Sequence, residues 1–220
     1  MTRTIDRKMR RDTTAQPRQD TLDLIRSAGL ALIYERGYEG MGLRSLASEA
    51  GIGQSTLYGH YATKQDLLVD LICRHMEELL AALKREVPAN APPMDRFLRF
   101  VRFHLGYHIR RRREVFICYS ELRSLEPENY ARVTALRQEY ERFLMGILSD
   151  GADAGVMRAV EPRIAAYGIL AMLSGITHWY RPDGELPEER VQRAYVELAL
   201  AAVVDPLGVV LERQPFQPET

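Results

Sequence analysis

Residues 41–72 hold two short helical patterns that flank a turn at Gly51, followed by a longer helical pattern. Apolar residues recur at helical spacing before the glycine, and Leu57 continues the apolar face after it. Two short helices joined by such a turn are typical of a helix-turn-helix, whose second helix fits the major groove of DNA. The rest of the chain has no strand pattern, so we expect an all-α fold.

The polar side of the second short helix carries groups that suit DNA contact. Hydroxyl, amide, imidazole and ammonium groups hold phosphates and reach base edges. The predicted DNA-binding residues are Arg44, Gln54, Ser55, Thr56, Tyr58, His60, Tyr61 and Lys64. The whole chain carries 30 basic and 30 acidic residues, but residues 1–64 hold ten Lys and Arg against seven Asp and Glu. This mild asymmetry has the sign expected for a DNA-binding N-terminal part.

The segment 50–67 resembles the DNA-binding domain of the tetracycline-repressor (TetR) family of one-component regulators. It reads AGIGQSTLYGHYATKQDL, against a family pattern of roughly AGVSxGTLYxHFxSKxxL. Two departures remove a hydroxyl group: Gly53 replaces the usual Ser at the start of the second short helix, and Gly42 replaces a Ser or Thr before the first. We therefore expect backbone N–H groups at these helix starts to make more of the phosphate contact.

The resemblance implies an N-terminal three-helix helix-turn-helix DNA-binding domain and a C-terminal helical domain for ligand binding and dimerisation. A first helix is predicted from Asp20, a good N-cap, to near Gly37, and Thr63 with Asp66 predicts a capping box for the connector helix. The expected ranges are a flexible basic arm over 1–19, the DNA-binding domain over 20–64, the effector-binding and dimerisation domain over 65–204 with its connector helix over 65–87, and a tail over 205–220. The arm is either a solvated tail or an additional DNA contact.

Several classes of protein are disfavoured. No nucleophile–base set, glycine-rich phosphate loop or metal-ligand constellation is readable, so we expect no catalytic residue, no enzyme activity, no metal and no cofactor. Cys73 and Cys118 lie in apolar helical patterns and predict no disulfide. The charged N-terminus lacks the apolar region of a signal peptide, and no run has membrane-spanning length. We expect a cytoplasmic protein with no membrane partner.

A stripe of small residues near the C-terminus predicts a close helix contact. Gly168, Ala171 and Gly175 recur at offsets of three, four and seven along one helical pattern. The stripe serves either packing within the chain or a homodimer in which each subunit gives two helices to a four-helix bundle. We favour the dimer, with Tyr195 and Leu198 of the final helix at the interface, because a helix-turn-helix gains affinity from a second copy.

Candidate ligand contacts are less specific. Arg137 lies in an apolar seam and needs an anionic partner, which is either Glu121 or a ligand phosphate, carboxylate or carbonyl. His104 and His108 have a spacing that binds metals, but no third ligand stands at a telling offset, so we expect them to line a mainly apolar pocket. The run 110–113 of four arginines is either solvated or a basic rim suited to a nucleotide-bearing ligand.

The C-terminal half is similar to the branch of the family that senses acyl-CoA thioesters, through the segments 121–125, 137–140 and 179–184. This resemblance implies a repressor that an acyl-CoA metabolite releases from a palindromic operator, although some relatives activate transcription. The implied effector-binding residues are Phe100, His104, Phe116 and Tyr140 around the acyl or ring part, with Trp179 and the phosphate-binding Arg137 or Arg181. Trp179 and Arg181 could instead form a packed corner between helices. The alternative effector is an uncharged lipophilic drug or antibiotic.

Overall fold

The computed structural model describes residues 15–158 and 160–204, without the side chains of residues 15–17. All regular structure in these ranges is helical, which confirms the predicted all-α fold. The helices are α1 Ala15–Gly40, α2 Leu43–Glu49, α3 Gln54–Tyr58, α4 Lys64–Glu86, α5 Pro93–Arg110, α6 Arg112–Ser120, α7 Pro127–Asp153, α8 Pro162–Ser174, α9 Ile176–Trp179 and α10 Glu188–Val203, with a 3-10 turn at Leu122–Ser124. Most of the expected arm (1–14) and the whole expected tail (205–220) lie outside the described residues.

The first helix begins earlier than predicted. It starts at Ala15 rather than Asp20, so residues 15–19 are helical. Pro17 does not oppose this start, because it lies in the first turn, where a backbone N–H has no intrahelical acceptor to lose. The regular helix ends at Gly37, as predicted, where φ is 72°. This left-handed conformation suits glycine because a side chain there would clash with the backbone.

The chain forms two compact units. The first contains the described residues up to Arg74 together with Phe116–Tyr130. The second contains His75–Val115 and the described residues from Ala131 onwards. Helices α4, α6 and α7 therefore each contribute residues to both units. Residue 65, the first of the expected effector domain, belongs to the first unit.

Each unit has an apolar core. The side chains at the centre of the first unit come from α1 to α4: Ile25, Leu32, Ile33, Leu46, Leu57, Leu67 and Leu68. In the second unit α5 packs against α8, α9 and α10. Its fully buried side chains include Leu83, Phe97, Phe100, Val101, Leu105, Val133, Leu144, Ile147 and Leu173. Fully burying one such side chain stabilises the fold by about 1.5–3 kcal/mol.

The helical pattern that carries the small-residue stripe forms two nearly continuous helices. Helices α8 and α9 are separated only by Gly175, whose backbone keeps right-handed helical angles of φ −56° and ψ −21°. Pro187 occupies the N-cap position of α10. Across the described ranges, no helix is both long and apolar enough to cross a membrane.

Candidate nucleic-acid interface and effector site

A tight turn fixes the angle between α2 and α3. Gly51 has φ 67°, and the N–H of Ile52 donates to the carbonyl of Ala47 at 3.0 Å, which closes the C-terminus of α2. Leu46 of α2 and Leu57 of α3 are both fully buried in the core of the first unit. Helix α3 is therefore attached by one face, and its opposite face is left to solvent, as the helix-turn-helix prediction requires.

Most of the predicted DNA-binding residues lie on exposed surface. Gln54, Ser55, Thr56 and Tyr58 of α3 and Arg44 of α2 are exposed, whereas His60, just beyond α3, is half-buried. These α3 side chains are brought together on one short helix that points away from its own core. The structure thus presents amide, hydroxyl and phenol groups on a single polar face, the combination that reads base edges and phosphates.

The two glycines at the helix starts behave as expected for caps without a side chain. Gly53 precedes α3 with extended angles and makes no side-chain cap, so the first N–H groups of α3 remain available. At α2 the hydroxyl of Ser45 compensates locally, because it donates to the Gly42 carbonyl at 2.7 Å and accepts from the Gly42 N–H at 3.3 Å. Backbone donors at both helix starts are consistent with phosphate contact.

Tyr61 does not lie on this exposed face, contrary to the prediction. It is only 5% exposed, because its position four residues after Leu57 continues the apolar face of α3 into the core. Its hydroxyl donates to Oδ2 of Asp70 at 2.5 Å. Arg26 donates to the same carboxylate through Nε at 2.7 Å and Nη2 at 3.1 Å. Tyr61 thus joins α1 to α4 through a hydrogen-bonded cluster.

The charges of this cluster are mutually stabilised. Burial, followed by the hydrogen bond to Asp70, raises the pKa of the Tyr61 hydroxyl, so it stays protonated and donates. Burial alone would raise the pKa of Asp70, but the hydrogen bonds from Arg26 and Tyr61 outweigh it and lower that pKa below 3.8. The carboxylate therefore remains ionised at any physiological pH.

Lys64, a predicted DNA-binding residue, also contacts the end of α1. The predicted capping box is present: the N–H of Thr63 donates to Oδ2 of Asp66 at 2.8 Å, and the N–H of Asp66 donates to Oγ1 of Thr63 at 3.1 Å. This cap places Lys64 in the first turn of α4. Its ammonium lies 4.1 Å from the centre of the Tyr38 ring and donates to the carbonyl of Glu39 at 3.4 Å.

A segment distant in sequence completes the first unit. Glu121 is buried and accepts hydrogen bonds from the N–H of Tyr38 at 3.4 Å and from the hydroxyl of Ser124 at 3.0 Å. Gln65 donates to the carbonyl of Ser124 at 3.0 Å. Phe116, which was predicted to line an effector cavity, packs edge-on against Tyr34 at 5.2 Å instead and belongs to the first unit.

Three of the other predicted effector residues meet inside the second unit. Nδ1 of His104 is 3.0 Å from the Tyr140 hydroxyl, and the rings of Phe100 and Tyr140 lie 5.5 Å apart. Nε2 of His104 is 3.2 Å from the hydroxyl of Ser174. All three predicted residues are buried against one another. They form a packed polar core at this position.

The buried histidines of this unit are held neutral. The rings of His104 and His108 stack at 3.7 Å. Burial lowers the pKa of His104 well below 6.5, and it lowers the pKa of His108 to about 3 and that of His75 to about 4. Within the described ranges no group of three or more His, Cys, Asp or Glu side chains is placed to hold a metal ion.

The remaining predicted effector residues are scattered. Trp179 is 48% exposed, and its indole N–H donates to the hydroxyl of Tyr195 at 3.1 Å, so the pair joins the end of α9 to α10. Arg181 is exposed in the following loop. Arg137 is half-buried on α7.

A groove along α5 contains Arg110 and Arg111 of the four-arginine run that the sequence offered as either solvated or a basic rim for a nucleotide-bearing ligand. It has a volume of about 720 Å³ and is lined by Ala82, Glu86, Asp95, Arg99, Arg102, Phe103, Gly106, Tyr107, Arg110, Arg111 and Gln192. None of the predicted effector residues lines it. The sequence does hold a signal, because residues 99, 102, 103, 106 and 110 recur at offsets of three and four along α5.

The small-residue stripe is open to solvent. Gly168 is exposed, and an added Cβ there would meet no atom within 4 Å. Ala171 is exposed, Gly175 is half-buried, and Leu198 of α10 is 55% exposed. The stripe therefore does not serve close packing among the described residues of one chain. Ile164, which is 69% exposed, extends the same apolar face of α8.

Comparisons with known proteins agree with this architecture. Residues 25–71 match the model described as "Bacterial regulatory proteins, tetR family", and residues 90–203 match "Tetracyclin repressor-like, C-terminal domain". The chain is 24% identical to the HTH-type transcriptional repressor KstR2 of Mycobacterium tuberculosis, over 79% of this chain and 88% of that protein. It is 20% identical to the fatty acid metabolism regulator protein of Bacillus subtilis, over 80% of this chain and 92% of that protein.

One similar solved structure contains a bound ligand and DNA. AibR, whose crystal structure contains isovaleryl coenzyme A and operator DNA, is 27% identical to the chain. Its structure matches with a TM-score of 0.75 over 81% of this chain and 97% of that one. The second family model alone spans more than half of the 220 residues. The helix-turn-helix, the helical second unit and both family matches therefore agree that the chain belongs to the tetR family of bacterial regulatory proteins.

Proposed function

We propose that this regulator is a homodimeric repressor that binds a palindromic operator and that an acyl-CoA metabolite releases. The observation that carries the proposal is the exposed polar face of α3, held rigidly by the buried Leu57 and the turn at Gly51. We assign base contacts to Gln54, and phosphate contacts to Ser55 and Thr56 with the free N–H groups at the start of α3.

Further contacts surround this face. Arg44, Tyr58 and His60 are available at its edges, and Lys64 adds a positive charge beside it. The buried Tyr61 is assigned to stabilising the unit rather than to DNA. Two copies of α3 would reach successive major-groove faces about 34–36 Å apart, or a multiple of that distance.

The exposed stripe on α8 and the apolar surface of α10 support the homodimer. Gly168, Ala171 and Leu198 present a flat apolar surface that a second copy can cover. Gly168→Glu should leave the protomer folded, because its Cβ meets open space, but should prevent close approach of a partner helix. Gly146→Glu is a matched control, since Gly146 also lies in a helix with open space at its Cβ. Sedimentation of the first variant as a dimer would contradict this assignment.

An acyl-CoA effector is supported by the name or bound ligand of two relatives and by the chemistry of the second unit. One relative regulates fatty acid metabolism by name, and another is described with isovaleryl coenzyme A. The second unit offers an apolar interior around Phe100 and arginine side chains on its surface. A long thioester with an acyl part and several phosphates needs both environments.

Coupling is assigned to the two parts of the chain that contribute to both units. The first is α4. The second is α6 with α7, and Glu121, which lies between these two helices, accepts from the N–H of Tyr38 at the end of α1. A ligand that favours a different position of either part would change how the first unit is presented to DNA. A coupling of about 1–3 kcal/mol changes operator affinity by about 5- to 150-fold.

A gel-shift titration tests this function. The duplex is the DNA upstream of the protein's own coding sequence, and the competitors are isovaleryl-CoA, free isovalerate and a neutral lipophilic antibiotic. We expect a shift at low salt that the thioester alone reverses. Release by the neutral compound alone would identify a drug-type sensor, and the lack of any shift would overturn DNA binding through α3.

A further inference from the structure

We propose that the groove along α5 binds the adenosine phosphates of an acyl-CoA thioester, with Arg102 and Arg110 as its phosphate-binding residues. This inference rests on the proposed function, because it names the surface that holds the effector's nucleotide. It places the phosphate site at residues that line a shared cavity rather than at Arg137 or Arg181, and one of them, Arg110, belongs to the run that the sequence offered as a basic rim.

Positive charge is concentrated on the groove. Four arginines line it, against Glu86 and Asp95. Arg99 is bound to Asp95 at 2.8 Å, and Arg111 lies 3.1 Å from Glu114, so these two are already neutralised by acidic partners. Arg102 and Arg110, by contrast, have no ion pair within the part of the chain that the structure describes. Two guanidinium groups outside any ion pair, against the single carboxylate of Glu86, leave the groove with a net positive charge that attracts an anion.

The floor of the groove lets two donors converge. Gly106 lies one turn before Arg110 on α5 and has no side chain to cover the backbone there. A Cβ on Gly106 would lie 3.0 Å from Nη1 of Arg110 and 3.5 Å from Nε2 of Gln192. A guanidinium of α5 and an amide of α10 therefore both approach the backbone at Gly106, and the amide also donates to Oε1 of Glu188 at 2.7 Å. Converging N–H donors of this kind suit the oxygens of a phosphate.

Aromatic rings border the same cavity. Phe103 and Tyr107 both line it, with ring centroids 5.4 Å apart and planes tilted by 40°. Phe103 is half-buried, so part of its ring is open to a ligand. A flat base can stack on such a ring, a contact worth about 1–3 kcal/mol per base in nucleic-acid complexes. A fatty acid carboxylate would use one arginine and neither ring, so the lining favours a nucleotide.

The dimensions suit an extended ligand. The groove volume of about 720 Å³ is in the range of small-molecule sites. A second cavity of about 340 Å³ shares Arg102 and Gln192 with it, and its other lining residues lie on α10: Glu189, Arg193, Val196 and Glu197. The two cavities therefore adjoin at Arg102 and Gln192. A nucleotide held at Arg110 leaves the second cavity for the chain that leads to the thioester.

Isothermal titration of the full chain tests the assignment, with isovaleryl-CoA, adenosine 3′,5′-bisphosphate and inorganic pyrophosphate as probes. The double variant Arg102→Gln/Arg110→Gln should weaken the binding of isovaleryl-CoA and of adenosine 3′,5′-bisphosphate by about tenfold or more. The affinity of the variant for these probes should also depend less on salt concentration. Arg132→Gln is the control, because Arg132 is an exposed arginine of α7 outside the groove. Thermal unfolding of each variant establishes that these exposed substitutions leave the fold intact.

The outcomes are distinguishable. Undiminished nucleotide binding by the double variant would overturn the groove while leaving the acyl-CoA effector in place. Binding of pyrophosphate as tight as that of the bisphosphate would show an unselective anion site and overturn the nucleotide assignment. If the native chain binds no nucleotide probe, both the groove and the acyl-CoA effector are overturned, whereas the gel shift still decides DNA binding.

Discussion

The two units differ in which of their polar side chains face solvent and in the charge of those that are buried. In the first unit, Gln54 and Thr56 of α3 face solvent, and the polar groups inside include Gln65, Glu121 and an ionised cluster around Asp70. In the second unit, His104 and Tyr140 are buried and neutral, and the charged residues stand outside around a groove. The first arrangement suits a rigid surface that reads DNA, and the second suits an interior that a ligand or a proton can perturb.

The largest expected difference between the units is their response to acid. Unfolded histidines take up protons near pH 6.5, but burial holds the pKa of His75 at about 4 and that of His108 at about 3. Stability of the second unit is therefore full above pH 6.5 and falls as the pH drops towards these values. Each of the two buried histidines should lower the free energy of unfolding by about 2 kcal/mol as the pH falls from 6.5 to 5. Urea unfolding at several pH values measures this loss.

A histidine substitution sharpens that test. His75→Leu should remove about 2 kcal/mol of the loss between pH 6.5 and pH 5, because the unfolded variant binds one proton fewer. His178→Gln is the control, since His178 is exposed. Equal pH dependence in both variants would show that burial of His75 does not carry the effect.

The ionised cluster of the first unit should be indifferent to the same pH range. Asp70→Asn should destabilise the unit by about 1.5–3 kcal/mol, because it weakens hydrogen bonds from Arg26 and Tyr61 to a charged acceptor. The pKa of Asp70 is lowered, so its contribution is present above pH 3.8 and is lost only as the pH falls through that lower value. Asp23→Asn should lower the free energy of unfolding by less than Asp70→Asn does, because the side chain of Asp23 is 51% exposed. A loss for Asp70→Asn that vanished at pH 5 would contradict this account.

Removing a surface group should separate DNA affinity from stability. Gln54→Ala is expected to weaken operator binding by about 1–3 kcal/mol and to alter base preference, while the unfolding free energy stays the same. Lys64→Ala should weaken all sequences alike and also lower stability, since its ammonium lies on the Tyr38 ring. Quantitative gel shifts on operator variants, with urea unfolding of each protein, measure both effects. Unchanged base preference in Gln54→Ala would remove Gln54 from the base contacts.

The smallest effect concerns the cap of α3. Gly53 has the extended angles of an N-cap, and an added Cβ would lie 3.8 Å from Oγ of Ser55, which is ordinary contact. Gly53→Ser should therefore stabilise the protein by a few tenths of a kcal/mol. Thermal unfolding detects this gain, and a loss of stability would mean that the serine hydroxyl finds no backbone donor.

The helix-turn-helix could be predicted because its determinants are local. The turn at Gly51, the apolar spacing that leads to Leu57 and the capping box at Thr63 lie within a few residues of the structure that they specify. Tyr61 was assigned to the wrong side because it follows the last turn of α3, where continuation of the helical face depends on the core behind it.

The sequence by itself determined the helices, their main breaks and the exposed polar face of α3, since each follows from spacing along one segment. Only the tertiary structure decided that Glu121 belongs with the end of α1, that Phe116 packs on Tyr34, and that four arginines share a groove with Gln192. Periodicity gives the side of a helix on which a residue lies. The element that this side meets is decided by contacts between segments far apart in the chain, which no local pattern records.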